Sequence, residues 1–148
     1  MVTIKEKPSL TIVRRLKAAP EKVWRALTQP EALKQWMAPG AAYRTTVAEI
    51  ELRVGGRYHI VMQDPDGTEH GISGVYREIV AGRKLVHTWR GSCSDARGPE
   101  TLVTMELRAV DGGTELTLRH EQFIDQAECD KHQNGWTGCL AQLEKFVG

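Results

Sequence analysis

The chain has 148 residues, of which 41% are hydrophobic and 26% charged, a composition that favours one globular domain spanning residues 1–148. The formal net charge is +1 with both signs mixed along the chain, so neither nucleic acid nor an anionic membrane is an expected partner. No apolar run is long enough to span a membrane, residues 1–8 lack the apolar segment of a signal peptide, and the three cysteines form no disulfide framework, which favours a cytoplasmic protein.

The beginning of the chain predicts one strand followed by two short helices. Apolar and β-branched residues alternate over residues 9–16, which is typical of a strand. Pro20 and Pro30 each suit the first position of a helix, because the missing N–H would have no partner there. Each predicted helix carries a tryptophan, Trp24 and Trp36 respectively.

The middle of the chain predicts six further strands separated by tight turns. Residues 64–67, with the sequence Asp-Pro-Asp-Gly, and residues 111–113, with Asp-Gly-Gly, are strong turn signals. Such short connections imply antiparallel pairing, so we expect one antiparallel sheet of about seven strands. The predicted strands lie at 45–52, 57–62, 70–80, 85–89, 101–110 and around 116–120.

A long amphipathic helix is predicted to close the chain. Asp125 suits its N-cap, and Glu128 three residues later completes a capping box. Gly135 and Gly138 each weaken the helix by up to about 1 kcal/mol relative to alanine, which suggests that something approaches its surface closely. The apolar stripe of the helix consists of Cys129, His132, Trp136, Cys139, Leu140, Leu143 and Val147.

The order of these elements predicts an α+β architecture. An antiparallel sheet must bury one face, and only the C-terminal helix is long enough to cover it. A strongly twisted sheet curls around that helix, and we expect a cavity where side chains of the sheet and the helix do not meet.

Several short motifs, spread over residues 9–147, carry a family resemblance. They are Ala19-Pro20-x-x-Val23-Trp24-x-Ala26-Leu27-Thr28, Trp36, Gly55-Gly56-Arg57, Asp64-x-Asp66-Gly67, Gly74-x-Tyr76-x-Glu78-Ile79, Leu85-Val86-x-Thr88-Trp89, Gly113-Thr114-x-Leu116-Thr117-Leu118-x-His120 and Gly135-Trp136-x-x-x-Leu140. In this order they resemble the family related to the C-terminal domain of the eukaryotic activator of the heat-shock chaperone ATPase. That family lies within the START and birch-pollen-allergen helix-grip (SRPBCC) superfamily. The resemblance implies a helix-grip fold: a curved antiparallel sheet around a long C-terminal helix, with two short helices after the first strand.

The resemblance includes one departure. Members of the family often carry a second aromatic residue beside the tryptophan, followed by Gly-Pro, whereas this chain has Met37, Ala38 and Pro39 after Trp36. The shape of any pocket near the second helix is therefore not carried over from the family.

Our first functional hypothesis is the binding of a small, largely apolar molecule in the cavity between the sheet and the C-terminal helix. Aromatic side chains would provide buried contact area, and histidines and Tyr76 would orient the ligand. The loop at residues 91–99 is expected to gate entry. The predicted lining is Trp36, Tyr58, Ile60, Met62, Tyr76, His87, Trp89, Met105, His120, His132, Trp136 and Leu140.

Polar residues within this predicted interior have a second interpretation. Two interpretations are open for each of His70, His87, His120 and His132: a polar group of a pocket, or a hydrogen-bonded core histidine. Glu78 shares its alternation with Tyr76 and is expected to face inward, where burial would raise its pKa. The alternative for Glu78 is an ion pair with a neighbouring strand.

The sequence assigns no catalytic residue, metal or cofactor. Cys129 and His132 share a helix face and His120 would supply a third ligand, but a second pair with zinc-like spacing is missing. Cys93 lies in a polar loop without an adjacent base, so a thiol nucleophile is not indicated. No glycine-rich phosphate-binding motif occurs.

Two other functions remain open because of the resemblance. One is a chaperone-associated protein-interaction module, which an exposed apolar patch would favour. The other is a cyclase-like enzyme that encloses a reactive substrate, because the wider superfamily includes polyketide cyclases. Both a monomer and a homodimer are compatible with the exposed edge strands of such a sheet.

Overall fold

A computed structural model describes residues 7–91 and 100–148. It confirms the predicted order of elements, with bounds shifted by a few residues. Asp125 caps the last helix as predicted, and its side chain accepts a hydrogen bond from the backbone N–H of Glu128 at 2.9 Å. The elements are β1 (Leu10–Leu16), α1 (Pro20–Thr28), α2 (Pro30–Trp36), β2 (Arg44–Ile50), β3 (Arg57–Gln63), β4 (Glu69–Val80), β5 (Lys84–Gly91), β6 (Thr101–Val110), β7 (Gly113–Glu121) and α3 (Gln126–Val147).

The strands form one curved, seven-stranded antiparallel sheet in the order β1-β7-β6-β5-β4-β3-β2. From β2 to β7 each strand pairs with its neighbour in sequence, which short turns permit. β1 is the exception, because it pairs with β7 at the far end of the chain. This is the predicted helix-grip fold.

The core lies between the sheet and α3. All members of the apolar stripe of α3 are buried except His132, which is half-buried. Leu116, Leu118 and His120 on β7 face the same interior as Val103 and Met105 on β6. The two short helices close one end, where Trp36 on α2 donates its indole N–H to the carbonyl of Ala26 at 2.8 Å.

The two glycines of α3 have different surroundings. A Cβ added to Gly138 would lie 1.9 Å from the carbonyl oxygen of Pro39, so the segment after α2 rests directly on the helix there. A Cβ added to Gly135 would meet no atom within 4 Å. The close approach expected from the sequence is therefore present at Gly138, whereas Gly135 faces open space.

Glu78 does not face inward, and that prediction was wrong. A β-bulge between Tyr76 and Glu78 shifts the register of β4 against β5. The bulge inserts an extra residue and thereby reverses which later residues face the core. Ile79 now packs against the core, and Glu78 is exposed and ion-paired with Lys84 at 3.4 Å.

Candidate functional site

A cavity of about 450 Å³ opens between the first half of α3 and the ends of the strands β3 to β6. We call it the outer cavity. Residues of α3 at steps of three and four, among them Glu128, His132, Gly135 and Cys139, form one wall. The larger apolar side chains of the lining are Met37, Met62, Ile72, Trp89, Phe123, Ile124 and Trp136. The ionisable or charged ones are His70, Arg90, Asp125, Glu128, Lys131 and His132.

A second, much smaller space lies deeper, between the sheet and the short helices. We call it the inner void. Its volume is about 30 Å³, which leaves room for nothing larger than water. Met37, Trp89 and Trp136 line both spaces and so stand between them. An organic ligand of ordinary size would therefore occupy the outer cavity.

The predicted lining residues fall into three groups. Met62, Trp89, His132 and Trp136 line the outer cavity. His120 and Leu140 line neither space and are fully buried. The remaining predicted residues surround the inner void, and these are Trp36, Tyr58, Ile60, Tyr76, His87 and Met105.

His120 is the centre of a hydrogen-bonded chain behind the outer cavity. Trp136 donates its indole N–H to Nδ1 of His120 at 3.0 Å, so the proton of the neutral ring is on Nε2. That nitrogen donates to Thr101 Oγ1 at 2.7 Å, and the hydroxyl of Thr101 donates to the carbonyl of Trp89 at 3.0 Å. The pKa of His120 is lowered to about 2, chiefly by burial and to a smaller extent by the nearby His132 and His87. His120 is thus a neutral, fully bonded core histidine.

His87 is held in a similar way beside the inner void. Tyr58 donates its hydroxyl to the carbonyl of Thr88, and Nδ1 of His87 lies 3.1 Å from that hydroxyl and 3.0 Å from that carbonyl. Because the Tyr58 proton is already used, His87 carries its own proton on Nδ1. Burial lowers the pKa of His87 to about 4 and raises the pKa of Tyr58 well above its usual value.

His132 differs from both of these histidines because its ring borders the outer cavity. Its Nδ1 donates to the carbonyl of Glu128 one turn earlier at 2.8 Å. The ring packs between neighbours, with centroid distances of 4.9 Å to Phe123, 5.1 Å to His120 and 6.2 Å to Trp89. This packing fixes the plane of the ring against the cavity wall.

His70 lines the outer cavity and is hydrogen-bonded to Asp64. Asp64 begins the predicted Asp-Pro-Asp-Gly turn, and one of its oxygens accepts the backbone N–H groups of Asp66 and Thr68. The other oxygen lies 2.9 Å from Nε2 of His70. The hydrogen bond with His70 is the largest influence on the Asp64 carboxyl and lowers its pKa.

Several lining residues were not predicted from the sequence. Met37, Phe123, Lys131 and Gly135 all line the outer cavity. Alternation along strands says nothing about Met37 and Phe123, since they lie just outside regular elements. Gly135 could have been identified from the sequence, because a glycine inside a helix reduces the stability of that helix and no local feature of the sequence accounts for it.

The described residues provide little for covalent or metal chemistry. Cys139 borders the outer cavity, but burial raises the pKa of its thiol to about 12 and keeps it protonated. Among residues 7–91 and 100–148, no group of three histidine, cysteine or acidic side chains is arranged to hold a metal ion. Cys93 and most of the predicted gating loop, residues 92–99, lie outside the described residues.

Comparison with known proteins supports the relationship that the motifs suggested. A family model described as "Activator of Hsp90 ATPase homolog 1-like protein" matches residues 17–148. No relative was found among the curated proteins. In the described part of the chain no helix combines the length and apolar character needed to cross a membrane.

Solved structures share the fold over nearly the whole chain. Protein CV1439 from Chromobacterium violaceum is 30% identical with a TM-score of 0.81, covering 94% of this chain and 96% of its own. Protein NE0264 from Nitrosomonas europaea is 27% identical with a TM-score of 0.81, covering 97% of this chain and 96% of its own. An AHSA1-like protein from Aeromonas hydrophila, 22% identical with a TM-score of 0.80, covers 95% of this chain and 92% of its own and shows the fold alone.

Proposed function

The chain belongs to the family of Activator of Hsp90 ATPase homolog 1-like proteins, and from this premise we propose that it binds a small, largely apolar molecule in the outer cavity. The observation that carries the proposal is the cavity itself. Its volume of about 450 Å³ lies within the range of ligand pockets in proteins, and it is bounded by aromatic and aliphatic side chains with a few polar groups. We place the protein in the cytoplasm.

The walls support binding without a large rearrangement. Trp89 and Trp136, whose ring centroids lie 5.0 Å apart, form the floor, and the hydrogen bond from Trp136 to His120 fixes one of them. An apolar ligand on this floor would gain about 0.8 kcal/mol for each methylene group removed from water. Because the floor is already ordered, little of that gain is lost to ordering side chains.

Gly135 provides a direct way to test the site. It lines the outer cavity, and a side chain added there would meet no atom at its first carbon. The variant Gly135→Phe should therefore fill the cavity while the helix remains intact. The matched control is Gln133→Phe, which adds the same ring at an exposed position of the same helix.

The measurement is native mass spectrometry of the protein purified from its own host. We expect wild type and Gln133→Phe to carry an additional mass that dissociates on unfolding, and Gly135→Phe to lack it. Wild-type protein without any such mass, even after incubation with a lipid extract of the host, would contradict the proposal. Equal retention by Gly135→Phe would show that binding occurs elsewhere.

A second candidate function is a chaperone-associated protein-interaction module. Two observations favour it: the family description, and two exposed apolar side chains that are two positions apart in the segment between β2 and β3. These are Leu52, 43% exposed, and Val54, 63% exposed. Exposed apolar groups that lie together are typical of interaction surfaces.

The test of this second function measures ATP hydrolysis by the Hsp90-type chaperone of the same host. Wild-type protein should change the hydrolysis rate, and the double variant Leu52→Ser with Val54→Ser should not. The control is Val13→Ser, which removes an exposed apolar side chain on β1 at the opposite edge of the sheet. No change in rate with wild-type protein would rule this function out.

A further inference from the structure

We propose that the ligand of the outer cavity is a neutral molecule with an apolar body and a hydroxyl group, which it donates to Nε2 of His132. The inference rests on the proposed binding function and narrows it to a class of ligand. It is carried by the hydrogen-bonding state of one ring and by the charges around it.

The proton of the neutral His132 ring is located by its partner. Nδ1 lies 2.8 Å from the backbone carbonyl oxygen of Glu128, and a carbonyl oxygen can only accept a hydrogen bond. Nδ1 must therefore carry the hydrogen. Nε2 of the neutral ring is then a bare acceptor that requires a donor from outside the ring.

Nε2 of His132 is also accessible. It has no hydrogen-bond partner among the described residues, and no buried side-chain nitrogen or oxygen in that part of the chain lacks a partner. Nε2 is consequently not buried. Since Nδ1 is turned toward the backbone of α3 and the side chain borders the outer cavity, the opening reached by Nε2 is that cavity.

Three polar side chains of the lining already have hydrogen-bond partners within the protein. Thr101 uses its hydroxyl proton on the carbonyl of Trp89 and accepts from His120. Asp125 accepts the backbone N–H of Glu128, and His70 is bonded to Asp64. Within the described lining, His132 is thus an acceptor set among aromatic rings, which is the arrangement that selects a hydroxyl on an apolar body.

The half-buried carboxylate of Glu128 and the acceptor character of Nε2 favour a neutral ligand over a carboxylate. Glu128 Oε2 lies 4.0 Å from Nδ1 of His132. Asp125, Lys131 and Arg90 also border the cavity, but all three are exposed to solvent, so their charges, which are of both signs, are screened. A ligand carboxylate can only accept hydrogen bonds, and Nε2 of the neutral His132 ring is itself an acceptor, so no hydrogen bond could form between them.

The experiment compares three ligands of nearly equal size by isothermal titration calorimetry at pH 8: 2-naphthol, 2-fluoronaphthalene and 2-naphthoate. Fluorine replaces the hydroxyl at similar volume and removes the donor. We expect 2-naphthol to bind about fivefold or more tightly than 2-fluoronaphthalene, which is the worth of one ordinary hydrogen bond. The variant His132→Phe should bind 2-fluoronaphthalene about as well as wild type and show no preference for 2-naphthol.

The possible outcomes distinguish the hydroxyl inference from the proposed binding function. Equal affinities for 2-naphthol and 2-fluoronaphthalene in wild type, or tightest binding of 2-naphthoate, would overturn the hydroxyl inference while the cavity remained a binding site. Binding of none of the three would overturn the inference and count against the proposed function together. If His132→Phe fails to fold, His132→Gln, which keeps an acceptor oxygen, should retain part of the preference, and its loss there would overturn the inference.

Discussion

Trp136 on α3 donates its indole N–H to Nδ1 of His120 on β7 at 3.0 Å, and both side chains are buried. This bond joins the long helix to the sheet directly behind the floor of the outer cavity. Through Thr101 it continues to the backbone of Trp89, whose ring forms the other part of that floor. One neutral histidine is therefore bonded directly to the ring of Trp136 and, through Thr101, to the backbone of Trp89.

Replacing His120 by leucine should destabilise the protein by about 2–3 kcal/mol. The substitution leaves the buried indole N–H of Trp136 without an acceptor and removes the donor that Thr101 accepts, and an unsatisfied buried group costs about 1–3 kcal/mol. Urea unfolding followed by circular dichroism measures the change. In the matched variant Trp136→Phe with His120→Leu, no indole N–H is left unpaired, so the effect of His120→Leu should be smaller there. A loss below about 0.5 kcal/mol in the single variant would contradict the role of the bond.

The stability of the fold should decrease as the pH falls below about 6.5. His87 and His120 have folded pKa values of about 4 and about 2, both lowered chiefly by burial, against an ordinary value of 6.5. The unfolded chain thus binds more protons than the native one between pH 6.5 and pH 4. In that range each histidine lowers the free energy of unfolding by about 1.4 kcal/mol for every unit by which the pH falls.

Above pH 7 both rings are neutral in either state, so their contribution is constant. Between pH 4 and pH 2 only His120 continues to contribute. Urea unfolding at intervals from pH 8 to pH 5 tests this expectation. The free energy of unfolding plotted against pH should have about half the slope in His120→Leu that it has in wild type. A free energy of unfolding that does not change across this range would show that the two rings are not buried in the neutral form.

The two glycines of α3 should respond to alanine in opposite directions. Gly135→Ala should raise the stability by up to about 1 kcal/mol, because alanine is the better helix former and the added carbon enters open space. Gly138→Ala should lower it, because the added carbon would lie 1.9 Å from the carbonyl oxygen of Pro39. Thermal melting of both variants beside wild type provides the measurement. Similar shifts for the two would refute the described packing of the segment after α2.

The substitution Glu78→Gln should change stability by less than about 1 kcal/mol. Glu78 is exposed and its partner Lys84 lies 3.4 Å away, and surface ion pairs of this kind contribute little. The comparison variant is Ile79→Ala, which removes a side chain packed against the core and should cost more. A large loss for Glu78→Gln in urea unfolding would indicate the inward orientation that the alternation alone predicted.

The difference at Glu78 shows how far local patterns extend. Alternation was correct for β6 and β7, where Val103, Met105, Leu116 and Leu118 all face the core. It failed after the bulge in β4, because one extra residue shifts every later side chain to the other face. A bulge depends on how two strands pair, and this pairing cannot be predicted from the sequence of one strand alone.

Local patterns along the chain were sufficient to predict the elements, their order and most of the faces that they bury. Prolines at Pro20 and Pro30, the cap at Asp125 and the helical spacing of the last stripe act through local backbone geometry, so they can be recognised without knowing the neighbours. The place of the cavity and the histidine that borders it follow instead from contacts between distant parts of the chain. His120 and His132 were both predicted to face inward, but one is enclosed by Trp136 and Thr101 and the other opens on a cavity bounded by five elements and the segments between them. Free volume is what remains after distant side chains have packed, so no local pattern along the chain encodes it.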